Sequence, residues 1–323
     1  MTSFEPVPAV GSGVDVADDI DAWISSAPVR ALVDAFGGGT NLLVGDLCGR
    51  LVSLDKFSDR WDSRRGVERN LAAPLELTDE QAGLTLAAAD ALGLVDPRPP
   101  QRTEYDHVFA LGGLVRACLV RPAYAAQLIR SGEVTTTAVT ALGGHRPFGG
   151  DEVEIARSVG MLDVDEEYEA LDHGTRQAFG LGSLATEIGE DSELPGGTWS
   201  VRTYTADDGL RIQVAAAPST EPAVRRAHTA DTYEWFARTL ASLHPGQTLL
   251  AVTSAIYVPA QQAAALRMLA LPFGVHVETV GVRPGSVAPT LAQTFTPSNY
   301  LQEIRSAIRG YRALHEAAAQ LPG

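Results

Sequence analysis

The pattern of apolar and polar positions divides the chain into two parts. From about residue 14 to residue 94, apolar side chains recur at the spacing of amphipathic helices. Within this part, Thr78 and Gln81 have the spacing of a capping box and predict the start of a helix. Three prolines between 97 and 100 then interrupt the pattern. We therefore expect residues 1–102 to form a tail and a helical region, and residues 103–323 to form a second domain.

Strand-like and helix-like segments alternate in the second part. The strands are expected at 107–111, 135–142, 199–205, 210–216, 249–253 and 275–282. Helices are expected at 114–129, from 152, at 230–243, 259–271 and 298–319, and residues 163–193 are expected to be mostly helical. The Asp207-Asp208-Gly209 sequence predicts a hairpin. This alternation indicates an α/β fold: a Rossmann-like, mostly parallel sheet with helices on both faces, preceded by the helical region.

The charge balance excludes several classes of partner. The chain has 40 acidic and 25 basic residues, a net charge of −15. Because the acidic excess is spread over both parts of the chain, neither part offers a basic face large enough to hold a polyanion, and we expect neither nucleic acid nor an anionic membrane as partner. The N-terminus lacks the basic and apolar regions of a signal peptide, which predicts a cytoplasmic protein. Two cysteines are too few for a disulfide framework or a cysteine-based zinc site, and we predict no metal site.

Candidate chemistry lies where the predicted strands end. Ligands of open α/β sheets bind beyond the carboxyl ends of the strands, next to helix N-termini. Three such ends carry polar or glycine residues: Gly112, Gly113 and Arg116 at the first, Gly143, Gly144, His145 and Arg146 at the second, and Thr253, Ser254 and Tyr257 at a later one. Glycine lets a ligand approach the backbone closely. The alternative is that each glycine pair only makes a tight turn.

Specific roles follow from residue type. His145 is the first candidate for general acid or base, and Tyr257 is the second. Arg116 and Arg146 are expected to hold the charge of a small anionic or zwitterionic ligand. Thr232 and Glu234 open a further helix, where Glu234 is a candidate acceptor for hydroxyl or amine groups. For this last segment, a well-capped helix without a ligand is the alternative.

The order of these segments resembles the ElyC/SanA/YdcF family of bacterial proteins. The resemblance rests on Leu111-Gly112-Gly113, Gly143-Gly144, an early glutamate at 152 or 154, Thr232-Tyr233-Glu234 and Val252-Thr253-Ser254. The sequence departs from that family at Trp235, where the family has Asn, at Tyr257, where it has His, and at Ala260, where it has Arg.

The resemblance implies a soluble Rossmann-like protein that binds a nucleoside-type ligand, with S-adenosylmethionine as the leading cofactor candidate. It is compatible with a transferase or hydrolase of small-molecule metabolism. Two alternatives stay open: a non-catalytic binding or scaffold protein that lost the family His and Arg, and an envelope-related role. The helical region either packs against the sheet domain or serves as a lid or a homodimerisation surface.

Overall fold

The computed structural model describes residues 3–11, 13, 15–64 and 73–320. The helices are α1 (Val16–Ile24), α2 (Ala27–Ala35), α3 (Leu47–Ser58), α4 (Asp79–Ala91), α5 (Val115–Arg130), α6 (Glu152–Ser158), α7 (Glu167–Phe179), α8 (Thr229–Trp235), α9 (Val258–Ala265), α10 (Leu271–Phe273) and α11 (Pro297–Ala318). The strands are β1 (His107–Leu111), β2 (Ala138–Gly143), β3 (Thr186–Glu190), β4 (Trp199–Thr205), β5 (Arg211–Ala216), β6 (Thr248–Ser254) and β7 (His276–Val282).

These elements form two compact units. The first, which we call the helical unit, comprises residues 1–98, 255–267 and 294–323. The second, the sheet unit, comprises residues 99–254 and 268–293. The expected boundary near Arg102 lies close to the change at residues 98 and 99. However, two later segments, which contain α9 and α11, belong to the helical unit, whereas we expected them in the sheet domain.

The sheet has seven strands in the order β3-β4-β5-β2-β1-β6-β7. The five strands from β5 to β7 are parallel, whereas β4 pairs antiparallel with both β5 and β3. The predicted α/β fold with a mostly parallel sheet is therefore confirmed. The chain runs outward from β1 through β2 to β5 and later returns to the other side of β1 at β6, so the strand order reverses at β1.

Helices cover both faces of the sheet, because successive side chains of a strand point to opposite sides. Val108 and Ala110 belong to a buried cluster that also contains Val115 of α5 and Leu171 of α7. Phe109 points the other way, and its ring packs against the rings of Tyr233 in α8 and of Phe236, which follows α8. Helices α5 and α7 therefore lie on one face and α8 on the other.

The helical unit is built from capped amphipathic helices. Thr78 and Gln81 form the predicted capping box at the start of α4. Thr296 and Asn299 form a second capping box at α11, whose apolar side is buried. The ring of Trp23 in α1 packs edge-on against Tyr311 of α11 at 4.9 Å, and both side chains are fully buried. Across residues 3–64 and 73–320, apart from 12 and 14, no helix has the length and apolar character needed to cross a membrane.

Two predictions about individual elements are wrong. The segment 163–193 was expected to be mostly helical, but it ends in the exposed edge strand β3. The helix expected at 230–243 stops at Trp235 and continues only as a π-helical turn, Phe236–Leu240.

Candidate functional site

The carboxyl edge of the parallel strands collects most of the predicted site residues. Strands β1, β2 and β6 end at Leu111, Gly143 and Ser254. Because β4 is antiparallel, its first residues lie at this same edge: Ser200 is opposite Ala216, the last residue of β5, which in turn is opposite Gly143. The structure thus brings the two glycine pairs, His145 and Arg146 to one edge, together with Ser200.

A glutamate occupies the helix N-terminus where an anionic ligand was expected. Glu152 is 1% exposed, and its Oε1 accepts the N–H of Val115, the first residue of α5, at 3.0 Å. Its Oε2 accepts the N–H of Gly149 at 3.0 Å. A carboxylate at a helix N-terminus satisfies unpaired N–H groups and interacts favourably with the helix dipole. The protein therefore supplies its own anion beside Gly113.

Arg146 binds protein groups with all five of its N–H donors. Its Nε donates to Oε2 of Glu167 at 2.9 Å. Its Nη1 donates to Glu152 at 2.7 Å and to the C=O of Pro147 at 3.2 Å, and its Nη2 donates to Glu152 at 2.8 Å and to the C=O of Gly113 at 2.9 Å. A guanidinium has five donors in a fixed planar arrangement. No donor is left for a ligand, so the geometry favours a structural role for Arg146 over the expected ligand contact.

Glu167 explains why glycines stand at the ends of β1 and β2. Its side chain is buried, and a Cβ atom at Gly112 or Gly143 would lie 2.5 or 3.0 Å from its Oε1. Burial raises the pKa of Glu167 above the usual carboxyl range, against the opposing effect of the neighbouring Arg146 charge. These two glycines thus make room for a buried carboxyl group of the protein itself.

A second buried arginine lies at the point where the strand order reverses. Arg121 of α5 is 4% exposed. Its Nη1 donates to the C=O of Leu111 at 2.9 Å and also to that of Gly112, and its Nε donates to Oγ of Ser254 at 3.3 Å. Sequence reasoning missed Arg121, although a lone arginine next to Pro122 on the apolar side of a helix was a signal. Ser254, expected to bind a ligand, is therefore in contact with a protein cation.

His145 lies between a carboxylate and a hydroxyl group. Its Nδ1 is 3.3 and 3.2 Å from the two carboxylate oxygens of Glu166, and its Nε2 is 3.1 Å from Oγ of Ser200. The imidazole packs against the ring of Tyr168 at 5.0 Å. The side chains of His145 and Glu166 are 23% and 26% exposed, so the group is partly open to solvent. Neither Ser200 nor Glu166 was predicted from the sequence.

A short antiparallel ladder sets the position of His145 relative to Glu166. The N–H of Glu167 donates to the C=O of Arg146 at 2.8 Å, and the N–H of Phe148 donates to the C=O of Asp165 at 2.7 Å. The ion pair between Arg146 and Glu167 spans the same two segments. His145 and Glu166 are the neighbours of these paired residues, so the ladder and the buried ion pair hold their side chains together.

The other predicted residues do not join this group. Arg116 pairs with Asp151, with 4.0 Å between Nη1 and Oδ2. Thr232 Oγ1 donates to the C=O of His228 at 3.1 Å, and Glu234 accepts from Arg238 at 3.1 Å; both are on α8, on the opposite face of the sheet.

Two more predicted residues lie apart from His145. The hydroxyl of Thr253 is buried and has no hydrogen-bond partner among the described residues. Tyr257 belongs to the helical unit, where its ring packs against Phe295 at 6.1 Å. In the described parts of the chain, no three His, Cys, Asp or Glu side chains are grouped to hold a metal ion.

Comparison with known proteins places the chain in a family. Residues 8–93 match the Rv3785 N-terminal domain. The protein Rv3785 of Mycobacterium tuberculosis is 33% identical to the chain over 336 residues, which cover 96% of this chain and 91% of the relative. The protein Mb3814 of Mycobacterium bovis shows the same identity and coverage. The chain belongs to the Rv3785 family.

Membership of the Rv3785 family corrects the resemblance drawn from short motifs. The assignment to the ElyC/SanA/YdcF family is wrong, because the relatives and the matching domain belong to the Rv3785 family. The motifs that suggested it have structural explanations here: Gly112 and Gly143 make room for Glu167, and Glu152 caps α5. No solved structure matches the chain.

Proposed function

We propose that this member of the Rv3785 family is a hydrolase or transferase that acts on a small molecule at the carboxyl edge of the sheet. In this proposal, His145 is the general base. The observation that carries the proposal is the placement of its imidazole, with Nδ1 on Glu166 and Nε2 on a hydroxyl group. Histidine is the side chain best suited to move protons near neutral pH.

The carboxylate of Glu166 gives the imidazole a defined direction. An Nδ1–H that donates to Glu166 leaves the lone pair on Nε2, the nitrogen that lies beside the hydroxyl of Ser200. The same carboxylate stabilises the imidazolium that forms when Nε2 takes up a proton. The ladder between the 145–148 and 165–167 segments supports this function, because it keeps the two side chains at hydrogen-bond distance.

The surroundings of His145 favour some classes of ligand over others. S-adenosylmethionine is implied only by a family to which the chain does not belong. The choice of ligand therefore depends on the residues around His145. The N-terminus of α5 holds Glu152, which argues against a phosphate group at that position. The partial exposure of His145 and Glu166 supports a substrate that reaches this group from solvent and whose reaction delivers a proton to Nε2.

The proposal is tested with the purified full-length chain and chromogenic substrates. The set comprises p-nitrophenyl acetate, butyrate and phosphate and bis(p-nitrophenyl) phosphate, and the absorbance of p-nitrophenolate reports turnover. We expect His145→Gln to lower kcat for the accepted class by about 10²–10⁴-fold. His276→Gln is the matched control, because His276 is an exposed histidine at the opposite, amino end of β7. Equal turnover by wild type and His145→Gln would contradict the catalytic proposal and favour a binding protein, which native mass spectrometry would then examine for a retained small molecule.

A further inference from the structure

We propose that Ser200 is a covalent nucleophile and that the substrate is a carboxylic ester or thioester. This inference rests on the proposed function, since it assigns the proton that His145 accepts. Nucleophile, base and orienting carboxylate are recognised by their mutual geometry rather than by their order in the sequence. Here the three groups are Ser200, His145 and Glu166, joined by contacts of 3.1 and 3.2 Å.

The position of Ser200 suits a nucleophile. It is the second residue of β4, at the edge of the sheet where the parallel strands end, and it is only partly buried. Gly189 of β3 lies opposite Ser200, and a Cβ atom at Gly189 would approach the hydroxyl to 3.1 Å. The absence of a side chain at Gly189 therefore leaves the hydroxyl uncrowded on that side.

Other hydroxyl groups at this edge lack such an arrangement. Oγ of Ser254 accepts a hydrogen bond from Arg121, which carries no basic lone pair that can take up a proton. Thr253 is fully buried. Among the serine and threonine residues at the ends of the described strands, Ser200 alone is hydrogen-bonded to a base that itself contacts a carboxylate.

Ester or thioester hydrolysis by this arrangement uses only the side chains of Ser200 and His145, the substrate and water. Oγ of Ser200 attacks the carbonyl carbon as its proton passes to Nε2 of His145, and a tetrahedral intermediate forms. The bond from the carbonyl carbon to the leaving oxygen or sulfur then breaks, and the leaving alcohol or thiol takes the proton from His145. Water attacks the acyl-Ser200 ester, gives a proton to His145, and the carboxylic acid leaves as Oγ recovers that proton.

A fluorophosphonate probe tests the nucleophile directly. An activated serine hydroxyl attacks the phosphorus of the probe and displaces fluoride, so the protein gains the mass of the phosphonyl group. For the full-length wild type, we expect one adduct by intact mass spectrometry, located at Ser200 by peptide mapping. Ser200→Ala should remove the adduct, and His145→Gln should slow labelling by about a hundredfold or more. Ser158→Ala, a change at an exposed serine of α6, should label like wild type.

The outcomes separate this inference from the function on which it rests. Labelling at another serine, or undiminished labelling of Ser200→Ala, would overturn the assignment of Ser200. Absence of labelling combined with ester turnover that depends on His145 would also overturn it, because the histidine would then activate water and the proposed function would stand. Absence of both labelling and turnover that depends on His145 would overturn both proposals.

Discussion

The buried side chains at the strand ends form a network of charges that satisfy one another. Arg146 pairs with Glu152 and Glu167, and Arg121 donates a hydrogen bond to the neighbouring C=O of Leu111. Removal of one partner from a buried ion pair is costly, about 3–5 kcal/mol, because the other charge remains buried. These residues therefore act as a unit that fixes the end of β2 and, with it, the adjacent His145.

The fit between Glu167 and the glycines leads to a prediction about two substitutions. In Gly112→Ala, the new Cβ would lie 2.5 Å from Oε1 of Glu167 and 3.0 Å from the Cα of Gly143. Because the carboxylate is held by Arg146 and the backbone by the sheet, we expect a loss of about 1–3 kcal/mol in the free energy of unfolding. In Gly144→Ala, the nearest atom would be 3.9 Å away, so the stability should change by less than about 0.5 kcal/mol. Urea unfolding of both variants measures the difference, and equal stabilities would contradict this explanation of Gly112.

At this scale, the sequence indicates the glycine pairs and His145 but not their partners. Glu166 is 21 residues and Ser200 is 55 residues from His145. No local motif records such contacts, since they depend on the return of α7 and β4 to the same edge of the sheet. Arg146 lies at this edge because it follows the end of β2. Its five protein contacts could not be foreseen, because the buried state of Glu152 and Glu167 depends on packing.

Among the connections between elements, the one from β5 to α8 is organised around the carboxylate of Asp231. Asp231 accepts the N–H of Thr220 at 3.2 Å, its hydroxyl at 2.6 Å, and the N–H of His228 at 2.8 Å. It also pairs with Arg225. Burial alone would raise the pKa of Asp231, but the bonds from Arg225 and Thr220 outweigh it and hold the pKa far below the usual range.

This connection predicts a dependence of stability on pH. Below about pH 4, the unfolded chain protonates Asp231, whereas the folded chain does not until much lower pH. The stabilising contribution of Asp231 is thus fully present above its unfolded pKa and is lost as the pH falls toward its folded pKa. We expect Asp231→Asn to be less stable than wild type at neutral pH and to lose less stability on acidification.

Thermal unfolding followed by circular dichroism between about pH 3 and pH 7 measures this effect. Asp163→Asn, a change at an exposed aspartate, is the control and should follow the wild-type curve. Parallel curves for Asp231→Asn and wild type would show that other carboxyl groups determine the acid response.

The central strands of the sheet can be predicted from the sequence, and there is a physical reason why the sequence does not reveal the strand β3. The central strands are runs of apolar residues, which is typical of strands buried on both faces. β3 has the sequence Thr-Glu-Ile-Gly-Glu and is exposed along its whole length, so no alternation of apolar and polar residues marks it. It becomes a strand because it pairs with β4, where Ile188 lies opposite Val201. Tertiary pairing of this kind overrides local preference.

At the scale of the whole molecule, the helical unit draws on three separate stretches of chain. Within this unit, α11 packs against α3, α4 and α9, and its Tyr311 contacts Trp23. Turn-forming prolines mark the end of the first stretch in the sequence. The later return of two segments to the same unit leaves no such mark, because the amphipathic pattern of α11 shows that the helix needs an apolar partner but not which one. The fold class could therefore be predicted, whereas the composition of the helical unit could not.

Because the helical unit is built from three separate stretches of chain, we predict that residues 103–323 do not form a stable domain alone. Without residues 1–102, the apolar side of α11 loses Trp23 and the helices α3 and α4. The side chains that would then become exposed are among those buried in α11: Leu301, Ile304, Ile308, Tyr311 and Leu314. Burial of each large apolar side chain contributes about 1.5–3 kcal/mol, and several such losses together approach the whole stability of a typical domain.

We expect the truncated chain 103–323 to be aggregated in size-exclusion chromatography, or to melt well below the full-length protein. A second truncation, 103–293, tests the cause, because it also removes α11 together with its exposed apolar side. The shorter chain should be more soluble than 103–323, although it carries less of the protein. If 103–323 were monomeric and melted like the full-length chain, α11 would not depend on the N-terminal helices for its stability, and the helical unit would not be a cooperative unit of folding.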